Sequence, residues 1–154
     1  MCYDEYKMFI DWEEDYIWLA GFIDGEGCFS IAKVKRKWLD RYVYQGQLLW
    51  TSIDIWLLEE MKEWLGGSLT YYKGSTTRGK PYAVHAIYQR LAESIIKRVL
   101  PYLRLKKPQA ELFLQYMTKV RLKGAQAYRG RTEKDWDELE QIYLTMKKLN
   151  QRGI

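Results

Sequence analysis

The sequence predicts one α+β domain with the element order α, ββ, α, ββ, α, followed by additional C-terminal helices. Two observations predict it: short stretches that alternate apolar and polar residues, and longer stretches with apolar residues at helical spacing between and after them. A third bounds it, since 154 residues without a linker, repeat or low-complexity segment suit one compact domain with a core of ordinary size.

The first helix is expected to take Asp11 or Asp15 as N-cap and to run through Leu19, Ala20, Phe22 and Ile23 to a cluster of glycines. Residues 28–36 and 42–51 then alternate around a polar turn at Asp40 and read as a hairpin. The stretch 54–65 carries apolar residues at helical spacing and ends at Gly66-Gly67. A second strand pair, 68–73 and 82–88, encloses the polar loop 74–80, and 91–100 returns to helical period before Pro101. Pro108 suits the first residue of a further helix. A basic loop at 123–131 follows, and Thr132 with Asp135 resembles a capping box that opens a last helix to about Leu149.

Composition excludes several classes. With 47% hydrophobic residues and 24 aromatics the chain is far from disordered. No apolar run reaches the roughly 18 residues of a membrane span, and the acidic start MCYDEYK is unlike a signal peptide, so an intracellular, non-secreted protein with no membrane partner is expected. Two cysteines, Cys2 and Cys28, and the single histidine His85 supply neither a zinc pattern nor a disulfide framework. Asparagine occurs once, at Asn150, a depletion that heat-adapted proteins share.

The net charge of +5 is unevenly distributed. Residues 1–26 hold eight acids against Lys7 alone, so the remaining 128 residues carry 24 bases and 12 acids. A basic body of that size points to a polyanionic partner, with a solvated lysine-rich face as the plain alternative.

The stretch Trp18 to Ser30, WLAGFIDGEGCFS, is apolar along its helical part and ends in Asp24 and Glu26 set among Gly21, Gly25 and Gly27. Gly21 and Gly25 fall on one helix face, where two positions without side chains allow another backbone to approach closely. A helix C-cap would explain Gly25 or Gly27, but neither Gly21 nor the two carboxylates.

Leu19 to Gly27, LAGFIDGEG, resembles the signature motif of the LAGLIDADG homing endonucleases. Residues 101–112, PYLRLKKPQAEL, are similar to the family segment that brings a lysine to the active site just before a helix, and 57–66, LLEEMKEWLG, to the helix after the second strand. The resemblance implies an αββαββα LAGLIDADG core over residues 12–122, with an antiparallel DNA-binding sheet and a C-terminal helical extension over 123–154.

It implies function as well: a site-specific, intron- or intein-type endonuclease, encoded by a mobile genetic element, that hydrolyses phosphodiester bonds of double-stranded DNA with Mg²⁺ or another divalent ion such as Mn²⁺ or Ca²⁺. Glu26 stands at the position of the metal-binding acid, and the Gly25 carbonyl can supply a further oxygen, as suits a hard cation. An ordinary capping carboxylate is the alternative for Glu26. Asp24 falls at the position that buttresses the helix pair. Lys106 matches the active-site lysine, with a solvated lysine in a basic run as its alternative. A further active-site position, usually glutamine, falls on Ser52, which departs from the family; serine is shorter, so either water fills in or a nearby residue such as Gln47 substitutes.

One motif makes half an active site, so a homodimer is expected to meet through Gly21, Gly25 and Asp24 and to cut a pseudo-palindromic target. Candidate DNA contacts on the strands and their turns are Ser30, Arg36, Lys37, Arg41, Gln45 and Gln47, then Tyr71, Lys73, Arg78, Lys80 and His85. Lys33 and Lys35 have the opposite parity from Ser30, so only one of the two sets can face the groove. Lys123, Arg129 and Arg131 suit phosphate contacts, with no DNA contact as the alternative. Trp56 and Trp64 suit the core or a dimer interface. Rival readings are an RNA maturase that assists intron splicing, a non-cleaving DNA-binding protein on the same fold, and an unrelated basic interaction domain.

Overall fold

A computed structural model of the chain describes residues 7–74, 79–121 and 130–151. It contains α1 (Glu13–Glu26), β1 (Cys28–Lys35), β2 (Tyr42–Ser52), α2 (Ile55–Leu65), β3 (Ser68–Tyr72), β4 (Tyr82–Tyr88), α3 (Gln89–Val99), a 3₁₀ turn (Leu100–Tyr102), α4 (Lys107–Arg121) and α5 (Glu133–Asn150). The expected order is present, with boundaries displaced by a residue or two. No described helix is long and apolar enough to cross a membrane.

The start of α1 differs from expectation. Its N-cap is Trp12, and Asp15 acts from inside the first turn, accepting the N–H groups of Ile10 and Trp12 at 3.0 Å each. An acid three residues into a helix can satisfy the N-cap amide as well as a cap residue can. Asp11 is drawn elsewhere: its backbone has φ +67°, and its carboxylate accepts from Tyr16 and from Trp64 Nε1 at 3.0 Å. Those two hydrogen bonds hold its carboxyl below the usual range.

The four strands form an antiparallel sheet in the order β1-β2-β4-β3. Register settles which parity is covered. Phe29 opposes Leu48, Leu48 opposes Ile87 and Trp50 opposes His85, and all five of these residues are buried. Phe22 of α1 meets Trp50 edge-on at 5.7 Å, and Phe113 of α4 meets Phe29 at 6.5 Å, so helices lie on this face. Gly46 sits on the same face because a Cβ there would fall 2.7 Å from the rings of Phe113 and Tyr116. The chain leaves α2 through Gly66 and Gly67 at φ +75° and +88°, conformations that glycine adopts without strain.

The other parity is uncovered. Ser30 opposes Gln47, Ala32 opposes Gln45, Thr51 opposes Val84 and Tyr72 opposes Tyr82 on this open face. All eight are partly or well exposed, whereas Val43 and Ala86 on the same face are buried.

Pro108 stands second rather than first in α4, and Pro101 lies inside the 3₁₀ turn, one residue beyond the point where α3 ends at Val99 and Leu100 begins the turn. The capping box of α5 forms as expected: Thr132 N–H donates to Asp135 at 2.8 Å and Asp135 N–H to Thr132 Oγ1 at 3.2 Å. The helix is tied to the first hairpin by Arg41–Glu133 at 3.2 Å and Lys33–Glu140 at 2.8 Å, and Tyr44 also donates to Glu140.

Candidate active site and nucleic-acid interface

The motif helix α1 buries Tyr16, Leu19, Ala20 and Ile23 and leaves Ile17, Trp18, Gly21 and Gly25 exposed. A Cβ added at Gly21 or Gly25 would meet nothing within 4 Å, so the packing of this chain does not require glycine at either position.

At the C-terminal end of α1, Asp24 turns inward. Its carboxylate accepts the backbone N–H groups of Arg104, Leu105 and Lys106 at 2.9, 3.1 and 3.0 Å. Three charge-assisted bonds fix the short segment that leads into α4. They also aim the Lys106 side chain back at α1, where Nζ donates to the Ile23 carbonyl at 3.0 Å and to the Gly27 carbonyl. A cation at the last carbonyls of a helix meets the negative end of its dipole.

Glu26, the last residue of α1, is exposed, and no described protein group pairs with it. A cavity of about 540 Å³ opens at the end of α1, bordered by Asp24, Gly25, Gly27, Cys28, Lys106, Gln109 and the end of α5 at Leu149 and Asn150. Burial pushes the Cys28 thiol up, with Lys106 opposing, so it does not offer a thiolate. Among the described residues no group of three His, Cys, Asp or Glu side chains could hold a metal ion by itself.

Gly25 and Lys106 border one cavity at the end of α1, where Glu26 is the last residue, and Ser52 does not join them. The Ser52 hydroxyl accepts the Asp54 N–H at 3.0 Å at the entrance to α2, and the residue does not border the cavity. A serine two residues before a helix N-cap is readily drawn into such a local turn.

The DNA-contact candidates divide by parity. Ser30, Gln45 and Gln47 come together on the open face. Arg36 and Lys37 lie exposed after β1, and Lys73 and Lys80 lie exposed beside the loop between β3 and β4. Arg78, Lys123 and Arg129 lie outside the described residues.

Two candidates are corrected. His85 is fully buried, opposite Trp50, with Nε2 donating to the Gly66 carbonyl at 2.6 Å. Tyr71 opposes Ala83 on the helix-covered side and donates to Glu59 at 3.0 Å. Arg41 is taken up by Glu133 and lies over the Trp136 ring at 4.5 Å, while the Arg131 guanidinium lies 5.1 Å from the same ring. Lys33 and Lys35 fall on the helix side, with Lys33 held by Glu140. Trp64 packs against Phe9 and Tyr16, whereas Trp56 is 58% exposed.

Sequence reading omitted Thr51, Thr70 and the stacked pair Tyr72 and Tyr82, whose ring centroids lie 5.0 Å apart on the open face. The signal for them was the same alternation that exposed Gln45 and Gln47, read across the strands instead of along them.

Residues 19–118 match the family model described as LAGLIDADG endonuclease. No curated protein matches the chain. The fold is similar to that of the homing endonuclease I-CvuI in complex with its target in the presence of Ca, with a TM-score of 0.68 and 23% identity over 89% of this chain and 82% of that one. It is similar also to the archaeal intron-encoded homing endonuclease I-Vdi141I complexed with DNA, with a TM-score of 0.70 and 17% identity over 89% and 84% of the two chains. The meganuclease I-SmaMI bound to uncleaveable DNA matches with a TM-score of 0.67 and 18% identity over 84% of this chain but only 43% of its own.

Proposed function

The chain belongs to the LAGLIDADG endonuclease family, and from that premise we propose that it is a divalent-metal-dependent homing endonuclease, a single domain over residues 1–154 that cuts a pseudo-palindromic DNA duplex as a homodimer. The observation that carries the reading is that Lys106 is bonded to the last carbonyls of the motif helix, which ends in the exposed Glu26 carboxylate.

The donor set fits a hard cation. Glu26 sits at the negative end of α1 without a basic residue in the last turn, a position where a carboxylate is unfavourable until a cation joins it. Glu26 and the Gly25 carbonyl would hold Mg²⁺, which commonly keeps several waters and binds through one or two carboxylates and substrate phosphates. When bound, the ion supplies polarisation of the phosphoryl group and a more acidic water. Lys106 has three N–H donors, of which two are taken by the Ile23 and Gly27 carbonyls, so one remains for a phosphate oxygen or the attacking water.

The exposed face of α1, with Ile17 and Trp18 beside the two open glycines, suits the same face of a second copy. That this chain spans less than half of I-SmaMI agrees with a protein that supplies one of two half-sites. The open face of the sheet, with Ser30, Gln45, Gln47, Thr51 and Thr70, suits base edges in the major groove, and Lys73 and Lys80 suit the phosphates beside it. Retention of Glu26 favours cleavage over a non-cleaving DNA-binding protein or an intron RNA maturase.

The test is a cleavage-site selection with Mg²⁺ on wild type and Glu26→Gln. Wild type is expected to cut a selected duplex that the variant binds without cutting. Sequence-specific binding with no nicking by wild type defeats the endonuclease reading, and specific binding to structured RNA alone supports the maturase. Cutting by Glu26→Gln at the wild-type rate defeats the metal assignment.

A further inference from the structure

The C-terminal helix α5 runs down the first hairpin from its turn to its root. Along α5, Glu133 pairs with Arg41 at the turn, Glu140 takes Lys33 and Tyr44 midway, and Asn150 reaches Phe29 at the start of β1. An 18-residue helix spans about 27 Å, which matches such a brace along an eight-residue strand of about the same length.

β1 is an edge strand with one neighbour, so its outward backbone groups lack partners within the sheet. The Phe29 carbonyl accepts from Asn150 Nδ2 at 2.8 Å, across 121 positions of sequence, and more weakly from the neighbouring Cys28 thiol at 3.6 Å. Phe29 stands two residues beyond Gly27, whose carbonyl accepts from Lys106, and three beyond Glu26. Leu149 and Asn150 border the same cavity as Gly25, Gly27 and Lys106. The chain leaving α1 is thus held by two side chains, Lys106 at Gly27 and Asn150 at Phe29.

We propose that Asn150 is a positioning residue for the cleavage site: the end of α5 pins Phe29 and, through it, fixes where Gly27 and Glu26 present their oxygens. This inference rests on the nuclease reading. It assigns to the helical extension a part in catalysis distinct from its contribution to stability.

The experiment compares wild type with Asn150→Ala, the near-isosteric Asn150→Asp, which lacks the donor, and Glu140→Gln, which loosens α5 at its middle. For each, the single-turnover cleavage rate, the DNA dissociation constant and amide exchange over residues 26–31 are measured. Both Asn150 variants are expected to cleave about fivefold more slowly with unchanged DNA affinity, as suits loss of one hydrogen bond, and to exchange faster over 26–31. Glu140→Gln is expected to lower the melting temperature and leave the cleavage rate in place.

Wild-type cleavage by Asn150→Ala, or unchanged exchange over 26–31, overturns the proposal. An equal slowing in Glu140→Gln overturns it too, since α5 would then act through stability alone. A wild type that cuts no duplex defeats the nuclease reading itself, whereas unchanged exchange in a variant of a cleaving wild type defeats only the role of Asn150.

Discussion

Lys106 Nζ lies 3.0 Å from the carbonyl oxygen of Ile23, so the segment before α4 and the end of the motif helix are joined by a charged hydrogen bond across 83 positions of sequence. Lys106 therefore closes a helix end and borders the cavity lined by Gly25 and Gly27 at once.

Replacing Lys106 by Met keeps the length of the side chain and removes both functions. Cleavage is expected to fall about 10²- to 10³-fold, as for loss of a preorganised electrostatic donor, with DNA affinity reduced by no more than one phosphate contact. Denaturant unfolding should show a loss of about 1–3 kcal/mol, because two carbonyls lose a charged donor. Full activity in the variant would remove Lys106 from the site.

Gly21→Leu separates the two uses of α1. A side chain at this exposed helical position meets nothing in its own chain, so the isolated protomer should gain roughly 0.5–1 kcal/mol from improved helix propensity. Across a close helix contact the same side chain obstructs approach, and sedimentation should show dimer dissociation weakened at least about tenfold, with double-strand cleavage lost in parallel. A variant that dimerises as wild type does would place the interface elsewhere.

Burial holds His85 below its ordinary value, and the Gly66 carbonyl offsets this only in part. The folded protein therefore binds this proton less readily than the unfolded chain, so the contribution of His85 to stability is constant above pH 6.5 and declines as the pH falls below it. With Nε2 donating to Gly66, the proton would have to go to Nδ1, which is buried without a partner. Melting temperatures between pH 8 and 5, read beside the imidazole NMR titration, check this. An imidazole that titrates near 6.5 in the folded protein contradicts it.

Gln47→Ala and Lys80→Ala should fail in different ways. Loss of Gln47 on the open face is expected to relax base preference at one position in each half-site, at a cost of about 1–3 kcal/mol for the preferred base. Loss of Lys80 should weaken binding to all duplexes alike and lower the slope of log K against log salt by about one. Selection profiles and salt titrations of the two variants measure the difference. A Gln47→Ala profile identical to wild type would argue against base contact.

Element order was legible in the sequence because glycine and proline mark the ends: Gly66-Gly67 after α2, Pro101 after α3 and Pro108 at the start of α4. The end of α1 was legible for a similar reason, since acids and glycines concentrate there. The face of each strand was not. Alternation places Lys33 and Ser30 on opposite sides, but only the packing of α1 and α4 against Phe29 and Trp50 decides which side receives helices. His85 and Tyr71 were misplaced on that account, since a lone polar residue in a strand can satisfy itself on a backbone carbonyl or a neighbouring helix as well as on a ligand. Ser52 was read by motif position and lost to a local turn. Arg41 and Lys33 illustrate a further limit: their charges are met by Glu133 and Glu140, more than 90 residues away, a relation that no local pattern contains.

The division of the sheet into a buried and an open parity has an evolutionary consequence. Phe29, Leu48, Trp50 and Ile87 carry the packing, whereas Ser30, Gln45, Gln47 and Thr70 lie on the opposite face of the same sheet. Surface substitutions of the second kind usually change stability by less than about 0.5 kcal/mol. Substitutions there can accumulate without threatening folding, so under the proposed function target preference can change while the packed face keeps the scaffold intact.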